Sequence, residues 1–291
     1  MALVPAEQVA VQGTEATTEQ VVALWLHGRS PHTQRAYRAD VERFLGFCGK
    51  PLPAVTLADL QAWADHLESQ GLAPASRARA LSAVKSLLAW AHRAGLLPVN
   101  VGAALRLPPV RQRLAERILP EDAVQRMLAL ATHPRDQALL RLLYGGGLRI
   151  SEAVGLSWRD LQPREDGRGQ VTVWGKGGKE RTVVVSATTW TALQALRRPG
   201  DGPDDPVFRS RKGGRLSPSQ AWRIVRQAAQ RAGIALPVSP HWLRHAHASH
   251  ALDRGAPVHL VQATLGHASV ATTGRYLHAR PEDSSSRYVV A

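Results

Sequence analysis

The stretch SPHWLRHAHASH, residues 239–250, holds four of the chain's twelve histidines together with an arginine. Three chemistries compete for it: metal ligation, burial of satisfied imidazoles in a core helix, and recognition of an anion. His241 and His245 form H-x-x-x-H, which puts both rings on one helical face, but Trp242 stands where a zinc hydrolase carries its general-base glutamate. Cys48 is the only cysteine, so multi-cysteine zinc motifs and an intramolecular disulfide are excluded. No metal site is expected. A core helix would bury Trp242, Leu243, Ala246, Ser249 and His250, and on that reading His245, His247 and His250 are packing residues. His241 and Arg244 are different. At i and i+3 they share a face and offer an imidazole beside a permanent cation.

Other short segments carry matching chemistry. GGGLRISEAVGL contains Arg149 and Glu152, WGKGGKER contains Lys176 with Lys179 close by, and LGHASVATTGRY contains His267 and, nine residues on, Tyr276. Each has a plain structural reading by itself. Arg149 and Glu152 would be a surface pair at a helix start, Lys176 a solvated hairpin tip, His267 a cation at a Gly-ended helix, and Tyr276 a core aromatic. Taken in this order and spacing, these motifs closely resemble the active site of the tyrosine recombinase (phage integrase) family, especially its bacterial Xer-type members. The likeness spans essentially the whole chain, with its specific motifs inside residues 143–276.

The resemblance implies roles. Arg149, Lys176, His241, Arg244, His267 and Tyr276 match the family's catalytic positions, and Glu152 matches its supporting acid. It implies that Tyr276 attacks a DNA phosphodiester to give a 3′-phosphotyrosyl link and a free 5′-hydroxyl. It implies a tetramer on two DNA sites, of one subunit type or shared with a paralogue, and no cofactor. Physical chemistry asks for the same residue types. A five-coordinate phosphoryl transition state gathers negative charge that preorganised guanidinium groups stabilise, and they bind phosphate as a fork without losing their charge. A phenol with pKa near 10 needs neighbouring cations and a base before it attacks well. Lys176 suits protonation of the leaving oxygen, and His241 and His267 suit hydrogen bonding or proton shuttling around the phosphoryl group. Because the covalent link conserves bond energy, neither ATP nor metal is required, in keeping with a sequence that lacks a GxxxxGK[ST] loop.

The elements that must position these groups are mostly helical. Four helices with short connections are expected in the first hundred residues, with Ser30 and Thr56 as N-caps and Gly71 and Gly95 as stops. Tyr37, Val41, Phe44, Leu45 and Cys48 form the apolar stripe of the second. LRLPPVRQRLAER then breaks the pattern with two prolines and an arginine cluster, the composition of an extended linker. The expected domains are therefore a helical core-binding domain over 1–106, a linker over 107–117, a catalytic domain over 118–279 and a short Pro- and Ser-rich tail over 280–291, whose RYVV end reads as a strand or loose arm. Within the catalytic domain helices dominate, and QVTVWGKGGKERTVVVS reads as a β-hairpin with Lys176 at its turn. The fold class is mainly α with one small antiparallel sheet.

Charge points to the same partner. The net charge is +14, and residues 111–291 carry +12 of it. A field concentrated in this way favours a polyanion, and double-stranded DNA is the expected ligand. Arg35, Arg38, Arg77, Arg79 and Lys85 form a candidate DNA-binding stripe in the near-neutral N-terminal part, and Arg211, Lys212 and Arg215 a second one in FRSRKGGRLSPSQ. No apolar run reaches the roughly 20 residues of a membrane span, and no signal-peptide pattern opens the chain, so a cytoplasmic protein is expected. A tyrosine-class topoisomerase and a non-catalytic DNA-binding regulator are the alternatives. The helical N-terminal part weighs against the first, and the complete motif set against the second. If the histidine cluster faces phosphate rather than zinc, DNA cleavage will persist in excess chelator. DNA affinity will fall log-linearly with salt at a slope of about −0.9 per phosphate contacted. Stoichiometric zinc required for cleavage would restore the metal reading.

Overall fold

The computed structural model describes residues 17–110, 114–175, 178 and 180–277. The chain divides into two units, residues 1–112 and 113–291, so the break falls in the arginine-rich stretch after Pro108 and Pro109. Among the described residues no helix is long and apolar enough to cross a membrane.

The first unit consists of α1 (Thr18–Leu26), α2 (Pro31–Cys48), α3 (Leu57–Ser69) and α4 (Pro74–Arg93). Local sequence explains their limits. Thr17 and Thr56 cap α1 and α3 in reciprocal boxes with Gln20 and Asp59, and Ser30 caps α2 ahead of Pro31. Helix α4 packs against the other three, and Leu81, Val84, Leu87 and Leu88 on it meet Trp25, Val41, Phe44, Leu60 and Trp63 in one apolar core. Asp40 is buried on α2 and ion-paired to Arg79 of α4.

That pairing bears on the expected DNA stripe. Arg79 is tied to Asp40, Arg77 is ion-paired to Glu68 of α3, and the Lys85 ammonium donates to the Leu105 carbonyl at 2.5 Å. These three hold helices and the following segment together. Arg35 is exposed and Arg38 half-buried on α2.

The second unit contains α5 (Glu121–Ala129), α6 (Pro134–Gly145), α7 (Ile150–Gly155), β1 (Leu161–Pro163), β2 (Gly169–Trp174), β3 (Glu180–Val185), α8 (Ala187–Gln194), α9 (Pro218–Arg231), α10 (Pro240–Asp253), α11 (Val258–Leu265) and α12 (Val270–Leu277). The fold is mainly helical with a small antiparallel sheet, as the sequence indicates. Helix α6 is central, packing against α5, α7, α8, α9 and α10 through Leu139, Leu140, Leu142 and Leu143. The sheet has three strands rather than two, in the order β1-β2-β3, because Leu161–Pro163 pairs with Gly169–Val171. Val171, Val173, Val183 and Val185 face the core, as the period of two requires.

Two expectations need correction here. The end of the 107–117 linker is not extended: Ala115–Arg117 forms one 3-10 turn, with Leu114 and Ile118 packed on a cluster from α10, α11 and α12. Apolar Leu114 and Ile118 outweigh the arginines around them. Trp242 is only partly buried, because it sits at the margin of the main core while Leu243 and Ala246 point into it. The tail at 280–291, including its expected RYVV strand or arm, lies outside the described residues.

Gly169 opens β2 beneath the ring of Trp190 on α8, where a Cβ would overlap that ring. The strand meets the helix closely only because no side chain intervenes. Gly169→Ala will destabilise the protein by about 1–3 kcal/mol, the usual cost of overpacking a filled site. Thermal unfolding checks this, and an unchanged melting temperature would show that Trp190 has room to turn.

Candidate active site

The C-terminal end of α6 runs into Gly145-Gly146-Gly147 and then delivers Arg149 at the start of α7. Gly147 adopts φ 61°, and a Cβ there would press on His247 and Leu265 at 2.8 Å. A positive φ and a tight approach both require glycine. Its carbonyl accepts from Arg244 Nη1 at 2.6 Å, and the Leu265 carbonyl at the end of α11 accepts from Arg244 Nη2 at 2.5 Å. Arg244 is 3% exposed, and no carboxylate forms an ion pair with it among the described residues. Burial, then the charge of Arg149, pushes its pKa down to about 10, which leaves it fully charged near neutrality.

Glu152 organises the other side. Its Oε2 accepts from the Arg149 backbone N–H at 2.7 Å and its Oε1 from Arg149 Nη1 at 2.7 Å. Arg181 of β3 grips the same carboxylate with Nη1 and Nη2 at 2.9 and 2.8 Å, and its Nε donates to the Thr264 carbonyl at 2.8 Å. Burial raises the Glu152 pKa, but hydrogen bonds from Arg181 and Arg149 and the Arg181 charge outweigh it and hold the group at about 2. One carboxylate thus joins the helix bearing Arg149, the β2–β3 hairpin and, through Arg181, the end of α11.

The histidines and the tyrosine close the site. His241 lies at the start of α10 with its side chain reaching solvent. Gly266 ends α11 in the left-handed region, and His267 follows, its Nδ1 at 2.9 Å from Thr273 Oγ1 of α12. The His267 ring stacks parallel to Tyr276, with centroids 6.4 Å apart. Tyr276 is 5% exposed, and its hydroxyl meets His245 Nδ1 at 2.7 Å. Burial raises the Tyr276 pKa, with Arg244 and Arg275 opposing. Desolvation followed by nearby charge lowers the histidines: His267 to about 4 under Arg244, Arg149 and Arg181, His245 to about 4 under His241, Arg117 and Arg244, and His241 in the same direction under Arg244 and Arg149. His245 and His267 are thereby neutral near pH 7.

Arg149, Glu152, His241, Arg244, His267 and Tyr276 therefore lie in one neighbourhood built by α7, α10, α11 and α12. Lys176, and Lys179 beside it, lie outside the described residues. Among the described residues no three His, Cys, Asp or Glu side chains gather in a way that would hold a metal ion.

The sequence reading assigned His245 to packing, and the structure corrects that: helical geometry carries its ring from His241 toward α12, where it meets the Tyr276 hydroxyl. The i,i+4 spacing from His241 was the available signal. Arg181 was missed altogether. It stands opposite Val173 on the inward face of the hairpin, so a charge at an inward strand position marks it. His250 packs as expected, its Nδ1 at 2.9 Å from the Tyr144 hydroxyl. Arg215, in the expected DNA stripe, also has a structural role: its Nη1 donates to the carbonyls of Val154, Gly155 and Leu156, capping the C-terminus of α7. Arg211 and Lys212 are exposed.

The arrangement suits an anion bound between two guanidinium groups, with a phenol beside it. Comparison with known proteins agrees. Residues 117–283 match the phage integrase family, and residues 22–95 match the phage integrase N-terminal SAM-like domain. The chain belongs to the phage integrase family, the tyrosine recombinases, enzymes that cleave and rejoin DNA. It is 38% identical to the tyrosine recombinase XerC of Rhodospirillum centenum over 99% of this chain and 90% of that one. Identity to the XerC of Xanthomonas campestris is 36%, over 91% and 86% of the two chains. The fold resembles lambda integrase, crystallised as a tetramer bound to a Holliday junction, with a TM-score of 0.72 at 18% identity over 92% of this chain and 79% of that one.

The Glu152 clamp has a pH signature. Its folded pKa of about 2 lies below the ordinary value of 4.5. The clamp's stabilisation, about 3 kcal/mol, is complete above pH 4.5 and is lost as pH falls toward 2. Glu152→Gln will be less stable than the parent by about that amount near neutrality, and the difference will shrink across this acid window. Denaturant unfolding of both proteins at several pH values checks it, and a difference independent of pH would remove Glu152 from the acid transition.

Proposed function

We propose that this protein exchanges strands between two double-stranded DNA sites through a 3′-phosphotyrosyl intermediate on Tyr276, working as a tetramer of one subunit type or together with a paralogue. The observation that carries the reading is Arg244: a buried cation aimed by two backbone carbonyls near the charge of Arg149, with Tyr276 on α12 and His267 in the turn before it. A guanidinium oriented by uncharged acceptors keeps its charge for a ligand.

The chemistry follows from the parts. A phosphodiester seated against Arg149 and Arg244 is held as a fork and oriented, and its developing charge is stabilised in the five-coordinate transition state. Tyr276 Oη bonds to phosphorus, and the P–O5′ bond breaks. The 5′-oxygen takes a proton from Lys176, and His241 and His267 hydrogen-bond the phosphoryl oxygens. Glu152 touches no phosphate; it fixes Arg149 and, through Arg181, the hairpin that bears Lys176. Rejoining runs the steps backward from a 5′-hydroxyl, so the bond energy is never released to water. The exposed Arg35, Arg211 and Lys212 place the duplex by its backbone, and double-stranded DNA is a cytoplasmic partner. Kinship with the XerC proteins and the fold shared with lambda integrase support strand exchange over simple relaxation of supercoils.

Tyr276→Phe will bind DNA with unchanged affinity and form no covalent adduct on a nicked duplex, because it loses one nucleophilic oxygen and no charge. A protein–DNA adduct persisting in this variant would refute the assignment. Strand exchange between two sites by the parent protein separates recombination from topoisomerase activity, and the absence of an adduct in the parent would leave only a DNA-binding regulator.

A further inference from the structure

Among the described residues the side-chain hydrogen bond to the Tyr276 hydroxyl comes from His245, at 2.7 Å. His267 lies against the Tyr276 ring instead, and its Nδ1 is engaged with Thr273 Oγ1. His241 is 5.8 Å from His245, ring centre to ring centre, in an edge-to-face arrangement on the same helix. Helices α10 and α12 pack directly together, with Tyr276, Ala248 and Leu252 in one apolar cluster, so the pair is held by the fold.

We infer that His245 is the proton acceptor for the Tyr276 hydroxyl during cleavage and the donor that returns this proton during rejoining. The inference rests on Tyr276 being the nucleophile. As Tyr276 Oη bonds to phosphorus, its proton passes to His245 Nδ1 and an imidazolium forms. The electron pair of the breaking P–O5′ bond goes to the 5′-oxygen, which is protonated by its own acid. In the reverse step the 5′-hydroxyl attacks phosphorus and returns its proton to that acid, the P–Oη bond breaks, and the imidazolium gives its proton to the departing phenolate.

The surroundings fit this cycle. His245 faces His241 and Arg244 on its own helix, Arg117 before α5, His267 before α12, and Tyr276. Burial and these neighbours keep the imidazole neutral, so with its proton on Nε2 the ring presents a lone pair to the phenol. A phosphodiester brought between the arginines offsets their charge, and the growing negative charge of the transition state offsets it further. The base therefore becomes stronger as the proton moves.

The test compares the parent, His245→Ala and His245→Asn for DNA binding and for the rate of covalent adduct formation on a nicked duplex. The asparagine amide oxygen accepts a hydrogen bond where Nδ1 does but cannot carry the proton away. Both variants are expected to bind DNA like the parent and to form adduct more slowly by about 10²–10⁴-fold, the usual worth of a positioned base. Their rates will rise about tenfold per pH unit between roughly pH 6 and 10, as hydroxide takes over. Added imidazole will accelerate His245→Ala. Adduct formation at the parental rate in His245→Asn would reduce His245 to a positioning residue, and a faster rate in either variant would make it a restraint on the tyrosine; both results overturn the proposal. If His245→Ala fails to fold, His245→Asn with its pH profile still decides. Failure of the parent itself to form an adduct would instead strike the proposed function.

Discussion

One side of the candidate site depends on one buried carboxylate. Glu152 accepts from two arginines that arrive from different parts of the chain, one at the start of α7 and one on β3. Without it, two like charges would face each other across a half-buried space, and the hairpin would lose its ionic tie to the start of α7. A buried ion pair earns little by itself, since desolvation cancels much of the attraction, but removing one partner leaves a charge stranded. Here the gain is geometric: Arg149 is pointed, and Arg181 reaches on to the Thr264 carbonyl beside the segment carrying His267. The sheet, α7 and α11 are thereby placed by one group.

The same clamp divides the cations into two kinds. Arg149 and Arg181 share a counter-charge inside the protein, whereas Arg244 is held by carbonyl dipoles. The lowered pKa values of the histidines follow first from burial and then from this concentration of positive charge. Neutral imidazoles can accept as well as donate, which cationic ones cannot. The proton transfer proposed for His245 and Tyr276 is served by that state.

Much of this was legible beforehand, for definite reasons. Ser30-Pro31 and Thr56-Asp59 mark helix starts because the backbone N–H groups of a first turn must be satisfied locally, and that need is written in adjacent residues. Arg149, His241, Arg244, His267 and Tyr276 could be picked out because each sits in a short segment with a characteristic neighbour. What escaped was long-range. Arg181 looks like one basic residue in a basic turn until strand register sets it opposite Val173, and His245 looks like a packing histidine until α12 is laid on α10. Strand β1, three residues ending in proline, has too little pattern to announce itself. Arg79, Lys85 and Arg215 show a second long-range effect: a basic residue expected at the DNA surface also braces, in each case, its own fold.

Arg244 also has a thermodynamic side. A guanidinium only 3% exposed, hydrogen-bonded to two carbonyl oxygens and ion-paired to no carboxylate among the described residues, is a cost to the folded chain, since its charge is taken from water. Whatever anion settles there repays part of that cost and binds only the native state, so it shifts the unfolding equilibrium by mass action. Sulfate or phosphate in a purification buffer will therefore act on this protein as a weak stabiliser, and duplex DNA as a strong one. On the proposed role of Arg244, the protein is least robust when stripped of every anion, and its storage conditions and its chemistry share one arginine.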